Sequence, residues 1–148
     1  MSTLAADTIT NVAGSSAGTT ITIDKDSTYN SEGAAVTQNL VQGVIKAWAD
    51  VDQTGTMTVD NSLNIASGTD LSAGNFTLNF TNNMGNADYG MAGAAHQMQA
   101  GNDEGVVCFQ LPDARTTGDC DLRIVDVYNA ASPLDYDPTT AMFYGDLA

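Results

Sequence analysis

From residue 45 onward, apolar and polar side chains alternate with a period of two, the spacing of a β-strand with one covered face. "IKAWADV" sets Ile45, Ala47, Ala49 and Val51 on one face, with Lys46, Trp48 and Asp50 on the other. "TMTVD" follows, and "SLNIAS" places Leu63 and Ile65 on one side of a further strand. "NFTLNF" is the cleanest case, with Phe76, Leu78 and Phe80 separated by Thr77 and Asn79. After the turn "TNNMGN", "ADYGMAGAA" reads as the return strand of a hairpin. "VVCFQL" and "CDLRIVDVY" form a second pair across "PDARTTGD", and "TAMFYGDLA" closes the chain. Strands every ~8–12 residues with Gly, Asn and Asp between them predict an all-β fold, an antiparallel β-sandwich of jelly-roll-like form. Residues 92–100, "AGAAHQMQA", admit a helix through Ala, Met and Gln, but shortness and a missing cap favour strand plus loop.

Two local patterns point beyond one protomer. "LRIVDVY" is apolar on both faces, Leu122 and Ile124 on one and Val125 and Val127 on the other. One face can fill the core and leave the second for a neighbour. Gly90 and Gly93 sit inside an apolar strand, where a bulge or a close backbone approach is needed to justify them. A neighbouring chain at a symmetry axis is one such approach.

Residues 1–43 break the pattern. They are rich in Thr, Ser, Gly and Ala, with apolar pulses at Ile9, Ile21 and Ile23 and Tyr29 as the only aromatic. Such a segment buries little surface by itself. It reads either as an extended N-terminal arm ordered against something else or as a disordered tail. One strand is expected at residues 19–23, from Thr-Ile-Thr-Ile. The expected organisation is therefore an arm over residues 1–43 and a β-sandwich domain over residues 44–148.

Composition narrows the partners. Charged residues are 15% of the 148, so Thr, Ser, Asn and Gly must cover much of the surface. Sixteen of the 18 acids are Asp, the exceptions being Glu32 and Glu104, and Asp favours turns over helices. The net charge is −14, with only Lys25, Lys46, Arg115 and Arg123 as cations. Nucleic acid and anionic membrane surfaces are excluded as partners, since both need clustered cations. No run approaches the ~20 apolar residues of a membrane span. The first residues carry no basic and apolar regions of the kind a secretory signal has.

Catalytic or metal chemistry has few candidates. "ADVDQTGTMTVDN" opens as a calcium loop does: Asp50, Asp52 and Thr54 fall at ligand positions 1, 3 and 5, with Gly55 at 6. Position 12 is Asn61, which supplies no bidentate carboxylate, and Asp60 lies one place early. The flanks are strand-like, so a turn at residues 53–55 with Gly55 at positive φ is the simpler reading. His96 is the only histidine and has no nucleophile motif nearby, so neither a catalytic triad nor a zinc site is expected. Cys108 and Cys120 lie on strands that can pair, so a disulfide is conceivable, but Asp119 and Asp121 beside Cys120 favour inert thiols. Asp135 and Asp137 in "SPLDYDP" lack the aromatic platforms of a glycosidase, and Pro133 and Pro138 make a rigid loop the better explanation. A shallow sugar site on Tyr128, Tyr136 or Tyr144 stays open. Trp48 is either buried between sheets or an interface anchor. No cofactor is expected, and no enzyme.

The order and spacing of several motifs resemble those of small virion proteins of tailed phages, common among marine bacteriophages and described as tail-fibre-like. The shared features are Lys46-Ala47-Trp48, Thr54-Gly55-Thr56, and the segments 61–67, 74–80 and 86–89, with "STLAADTITN" at the start and "FYGDLA" at the end. The Cys108/Cys120 pair and "SPLDYDP" depart from that pattern. Assembly in a reducing host cytoplasm, which the resemblance implies, argues for free thiols. The resemblance also implies a homotrimer on the particle surface. The expected partners are copies of itself, major capsid or tail proteins, and a host receptor or glycan. A tail fibre or spike and a capsid decoration (cement) protein are the two roles. A carbohydrate-binding module, calcium-dependent through the Asp50–Asp60 loop, is the alternative. Interface candidates are Trp48, Val125, Val127, Ile9, Ile21 and Ile23.

Overall fold

The structure, a computed structural model, describes residues 28–30, 37–39, 43–95, 106–126 and 132–148. The strands are β1 (Thr28–Asn30), β2 (Thr37–Asn39), β3 (Ile45–Asp52), β4 (Thr58–Leu63), β5 (Ile65–Ser72), β6 (Asn75–Phe80), β7 (Gly90–Ala95), β8 (Val106–Arg115), β9 (Asp119–Asp126), β10 (Ser132–Pro133) and β11 (Thr139–Tyr144). No helix occurs among the described residues. β1 and β2 pair with each other inside the segment expected to be an arm. The predicted strand at residues 19–23 lies outside the described residues.

The remaining strands form two antiparallel sheets packed as a β-sandwich. The first sheet runs β4-β3-β11-β7. The second runs β5-β6-β9, with β8 beyond β9. Asp126 pairs with both Val106 of β8 and Ser132 of β10. β10 therefore lies on the β6 side of β9 and continues the line of β6 past the Asn75↔Arg123 pair.

The predicted alternation builds the core except at Ile45, expected inward with Ala47 but 43% exposed where the β3–β11 register shifts. Ala47, Ala49 and Val51 of β3 and Ala141 and Phe143 of β11 face inward from the first sheet. Phe76, Leu78 and Phe80 of β6 and Cys120, Leu122 and Ile124 of β9 face them from the second. Alanines on one sheet leave room for the larger side chains of the other, which is how two faces reach interior density. Phe80, Tyr89 and Phe143 close one part of the core edge to face, with centroids 5.1–6.0 Å apart.

Two expectations need correction. "SLNIAS" is not one strand, because Asn64 (φ 58°) breaks it, and the chain leaves the first sheet and enters the second. Asn tolerates this left-handed backbone better than β-branched residues. Its amide holds the corner: Asn64 Oδ1 accepts from Asn82 N–H at 2.7 Å, and Nδ2 donates to Asn82 O at 3.1 Å. Leu63 and Ile65 consequently part, Leu63 exposed and Ile65 packed against the core. The second correction concerns β7, which is not the hairpin partner of β6. It crosses to the first sheet and pairs with β11. The crossing is fixed by Met84 N–H to Thr117 O at 2.8 Å, Gly85 N–H to Asp146 O at 2.7 Å and the buried Met84 side chain.

The β8–β9 pair forms as expected, with Cys108 opposite Ile124, not opposite Cys120. Both cysteines are buried free thiols. Burial pushes the Cys108 thiol up to about 12 and the Cys120 thiol up to about 11.

Candidate functional site

The outward face of the first sheet carries four exposed large apolar side chains, Ile45, Leu63, Met142 and Tyr144. Cross-strand register sets Leu63 opposite Trp48, Trp48 opposite Met142, and Met142 opposite Ala92. Directly opposed residues of antiparallel strands share a face. One apolar row thus crosses all four strands. Leu63 is 49% exposed and Met142 37%, while Trp48 is half-buried. The next row holds Tyr144, opposite both Ile45 and Gly90, with Tyr144 50% and Ile45 43% exposed. The row on the other side is polar at Asn61, Asp50 and Thr140 and ends at Ala94. Of the expected interface residues, Trp48 lies in this face. Val125 is buried within the protomer. Val127, Ile9, Ile21 and Ile23 lie outside the described residues.

The glycines of β7 do mark close approaches, but to the chain's own side chains. A Cβ on Gly93 would stand 2.8 Å from Cys108 Sγ, where β7 meets β8. A Cβ on Gly90 would overlap the Tyr144 ring at Cζ, Cε2 and the hydroxyl. The ring is seated on the bare Gly90 backbone. Around it lies a notch of about 300 Å³ lined by Asn86, Asp88, Gly90, Tyr144, Gly145 and Asp146. Asn86 Oδ1 accepts from Asp88 N–H at 2.7 Å. Of the other two tyrosines singled out for sugars, Tyr136 is only 3% exposed and Tyr128 lies outside the described residues.

The calcium-like loop is a turn with Gly55 at φ 78°. Asp52 Oδ1 accepts from Thr54 N–H at 2.7 Å and from the Thr54 hydroxyl at 2.6 Å. Asp60 accepts from the Thr58 hydroxyl at 2.8 Å, and Asp50 accepts from the Thr140 hydroxyl at 3.4 Å. Asp137 gathers at the same end: desolvation, then the charges of Asp52, Asp60 and Asp50, raise its carboxyl above the ordinary range. Among the described residues, no group of three His, Cys, Asp or Glu side chains is placed to hold a metal ion. Gln53 beside this cluster is buried, and its N–H donates to Tyr136 O at 3.2 Å. Asp135 is spent on structure, its Oδ1 accepting from Gly74 N–H at 2.7 Å. His96 lies outside the described residues.

The outer row and the notch escaped sequence reasoning for different reasons. The row depends on register between strands far apart in sequence. The notch had two separate signals, Tyr144 and a glycine inside an apolar strand, but only the fold brings Gly90 and Tyr144 together. Compared with known proteins, the chain matches no family model, no curated protein and no solved structure at a significant level.

Proposed function

We propose that this chain is a non-enzymatic structural protein of a phage particle surface, assembling as a homotrimer through the outer face of its first sheet. The observation that carries self-assembly is the apolar row Leu63–Trp48–Met142–Ala92. The virion setting rests on the resemblance of the strand motifs to tail-fibre-like phage proteins.

Charge selects a second copy as the occupant. Chains of net charge −14 repel one another. They can touch favourably only where carboxylates are missing, and this row has none. Four strands at ~4.8 Å spacing and six residues at ~3.4 Å rise give the whole outward face roughly 400 Å², of which the apolar row is about a third. A standard interface uses about 800 Å² per partner. The face thus supplies about half of a standard interface, so the three-fold state rests on the resemblance, with surface beyond this face completing each contact. A tail fibre or spike and a capsid decoration protein both suit such a trimer. Copies per particle separate them: hundreds for a decoration protein, tens or fewer for a fibre.

Light scattering on the purified chain tests the assembly. The wild type should have the mass of a trimer. Trp48→Glu with Met142→Glu should give monomers with an unchanged β-type circular dichroism spectrum, since neither side chain belongs to the buried core. A wild-type monomer at high concentration would end the proposal.

A further inference from the structure

We infer that the notch between β7, β11 and the segment before β7 is a binding site for one ring of a neutral sugar, with Tyr144 as its platform. The inference deepens the receptor-contacting side of the proposed function, but it rests on residues that the apolar row does not use.

The ligand class follows from what the lining offers. Tyr144 is half exposed and lies against Gly90, where any side chain would collide with the ring. The glycine backbone fixes the platform, so a ligand meets an aromatic surface already in place. Apolar C–H faces of a pyranose pack on such a ring. Asp88 brings a carboxylate, which accepts hydrogen bonds, and the charges of Asp88 and Asp146 turn away anionic ligands. Asn86 adds the complementary function. Its Oδ1 is occupied by Asp88 N–H, so its Nδ2 is the group left to donate. A lining that both accepts and donates matches hydroxyl groups, which do both. An ammonium or guanidinium only donates, and recognition of quaternary ammonium uses a cage of several aromatic rings. One tyrosine is no cage. The volume, about 300 Å³, is at the small end of ligand sites and suits a single ring, not a long chain.

The position is consistent with a second function beside assembly. Tyr144 and Gly90 form the end row of the sheet, and Asn86 and Asp88 precede β7. The notch thus opens at the rim of the outer face. The tyrosine is the specificity-determining contact, and the Asp88 carboxylate and the amide set which hydroxyl pattern is accepted.

The test is a titration of the full chain, ¹⁵N-labelled, with glucose, galactose, mannose and N-acetylglucosamine in turn, read by amide shifts. At least one sugar should move Asp88, Gly90 and Gly145 saturably, with a Kd in the millimolar range. Tyr144→Ala should weaken that Kd by about tenfold or more. Tyr144→Phe should retain it, because the platform stays, and an unchanged melting temperature certifies the fold of each variant. Tetramethylammonium is titrated in parallel. No saturable shift with any sugar, or shifts with the ammonium ion alone, would overturn the inference. Light scattering on the same samples keeps the two proposals apart: a trimer that binds no sugar sinks only this one, and a monomer that binds sugar sinks only the assembly.

Discussion

Gly74 and Gly55 both have positive φ, 68° and 78°, yet they sit in opposite surroundings. A Cβ on Gly74 would stand 2.6 Å from Ile124 O and Leu134 N and 3.0 Å from Pro133 C, all of them backbone. Gly74 is also hydrogen-bonded on both sides, through Asp135 and through Ile124 N–H at 2.7 Å. A Cβ on Gly55 would meet nothing within 4 Å. Gly55→Ala should therefore cost only the left-handed backbone penalty, about 1 kcal/mol. Gly74→Ala should add a clash that no rotamer relieves and cost more than about 3 kcal/mol, or prevent folding. Urea denaturation of the two variants decides it, and equal losses would contradict the packing described around Gly74. The two glycines also show what a sequence discloses at this scale. The turn at Gly55 could be read from its neighbours, because a turn is local. The need for glycine at 74 could not, since the colliding atoms come from residues about 50 and 60 positions away.

At the scale of elements, alternation revealed the strands and the inward faces of β6, β9 and, beyond Ile45, β3, because a two-residue period is written into each strand by itself. Partnership was legible for the β3–β4 and β8–β9 hairpins. The end of β4 and the start of β5 were joined in one expected strand because nothing in "SLNIAS" announces that Asn64 takes a left-handed turn into another sheet. β7 was assigned to β6 because adjacent strands usually pair, whereas its small side chains suit the crowded edge where Gly93 meets Cys108. That crowding makes the thiols a probe of the core. Their ordinary value is 9.0, and in the fold they rise to about 12 for Cys108 and about 11 for Cys120. The folded state keeps both protons after the unfolded chain has lost them. Stability is therefore full below 9.0 and falls as pH climbs through the window up to about 11–12. Each thiol contributes a slope of about 1.4 kcal/mol per pH unit there. Denaturation curves at stepped pH should show this loss in the wild type. The Cys108→Ala, Cys120→Ala double variant should hold level until the ordinary tyrosine value of 10.0, where Tyr89, itself raised by burial, begins to add its own loss. A wild type indifferent to pH across this window would mean that the thiols are not sequestered.

For the whole molecule, charge and apolar surface make opposing demands, and salt tells them apart. Eighteen acids against four cations give long-range repulsion between copies. Arg115 is committed inside the protomer, its Nη1 donating to Tyr89 O at 2.7 Å and its Cζ lying 5.8 Å from the Tyr89 ring centroid. The proposed contact through the Leu63–Trp48–Met142–Ala92 row would involve no ion pair, since none of the four side chains is charged, so its own attraction would be insensitive to screening. The repulsion is not: the screening length shrinks from about 10 Å at 0.1 M salt to about 3 Å at 1 M. Assembly through this face should accordingly tighten as salt is added, and tighten again as pH falls toward the isoelectric value near 4.1. Sedimentation at a series of salt concentrations reads the effect directly. The opposite trend, copies separating as salt rises, would mean that the contact is held by the few cations against the acidic rim around Asp50. The outer face would then not be the surface that joins the copies.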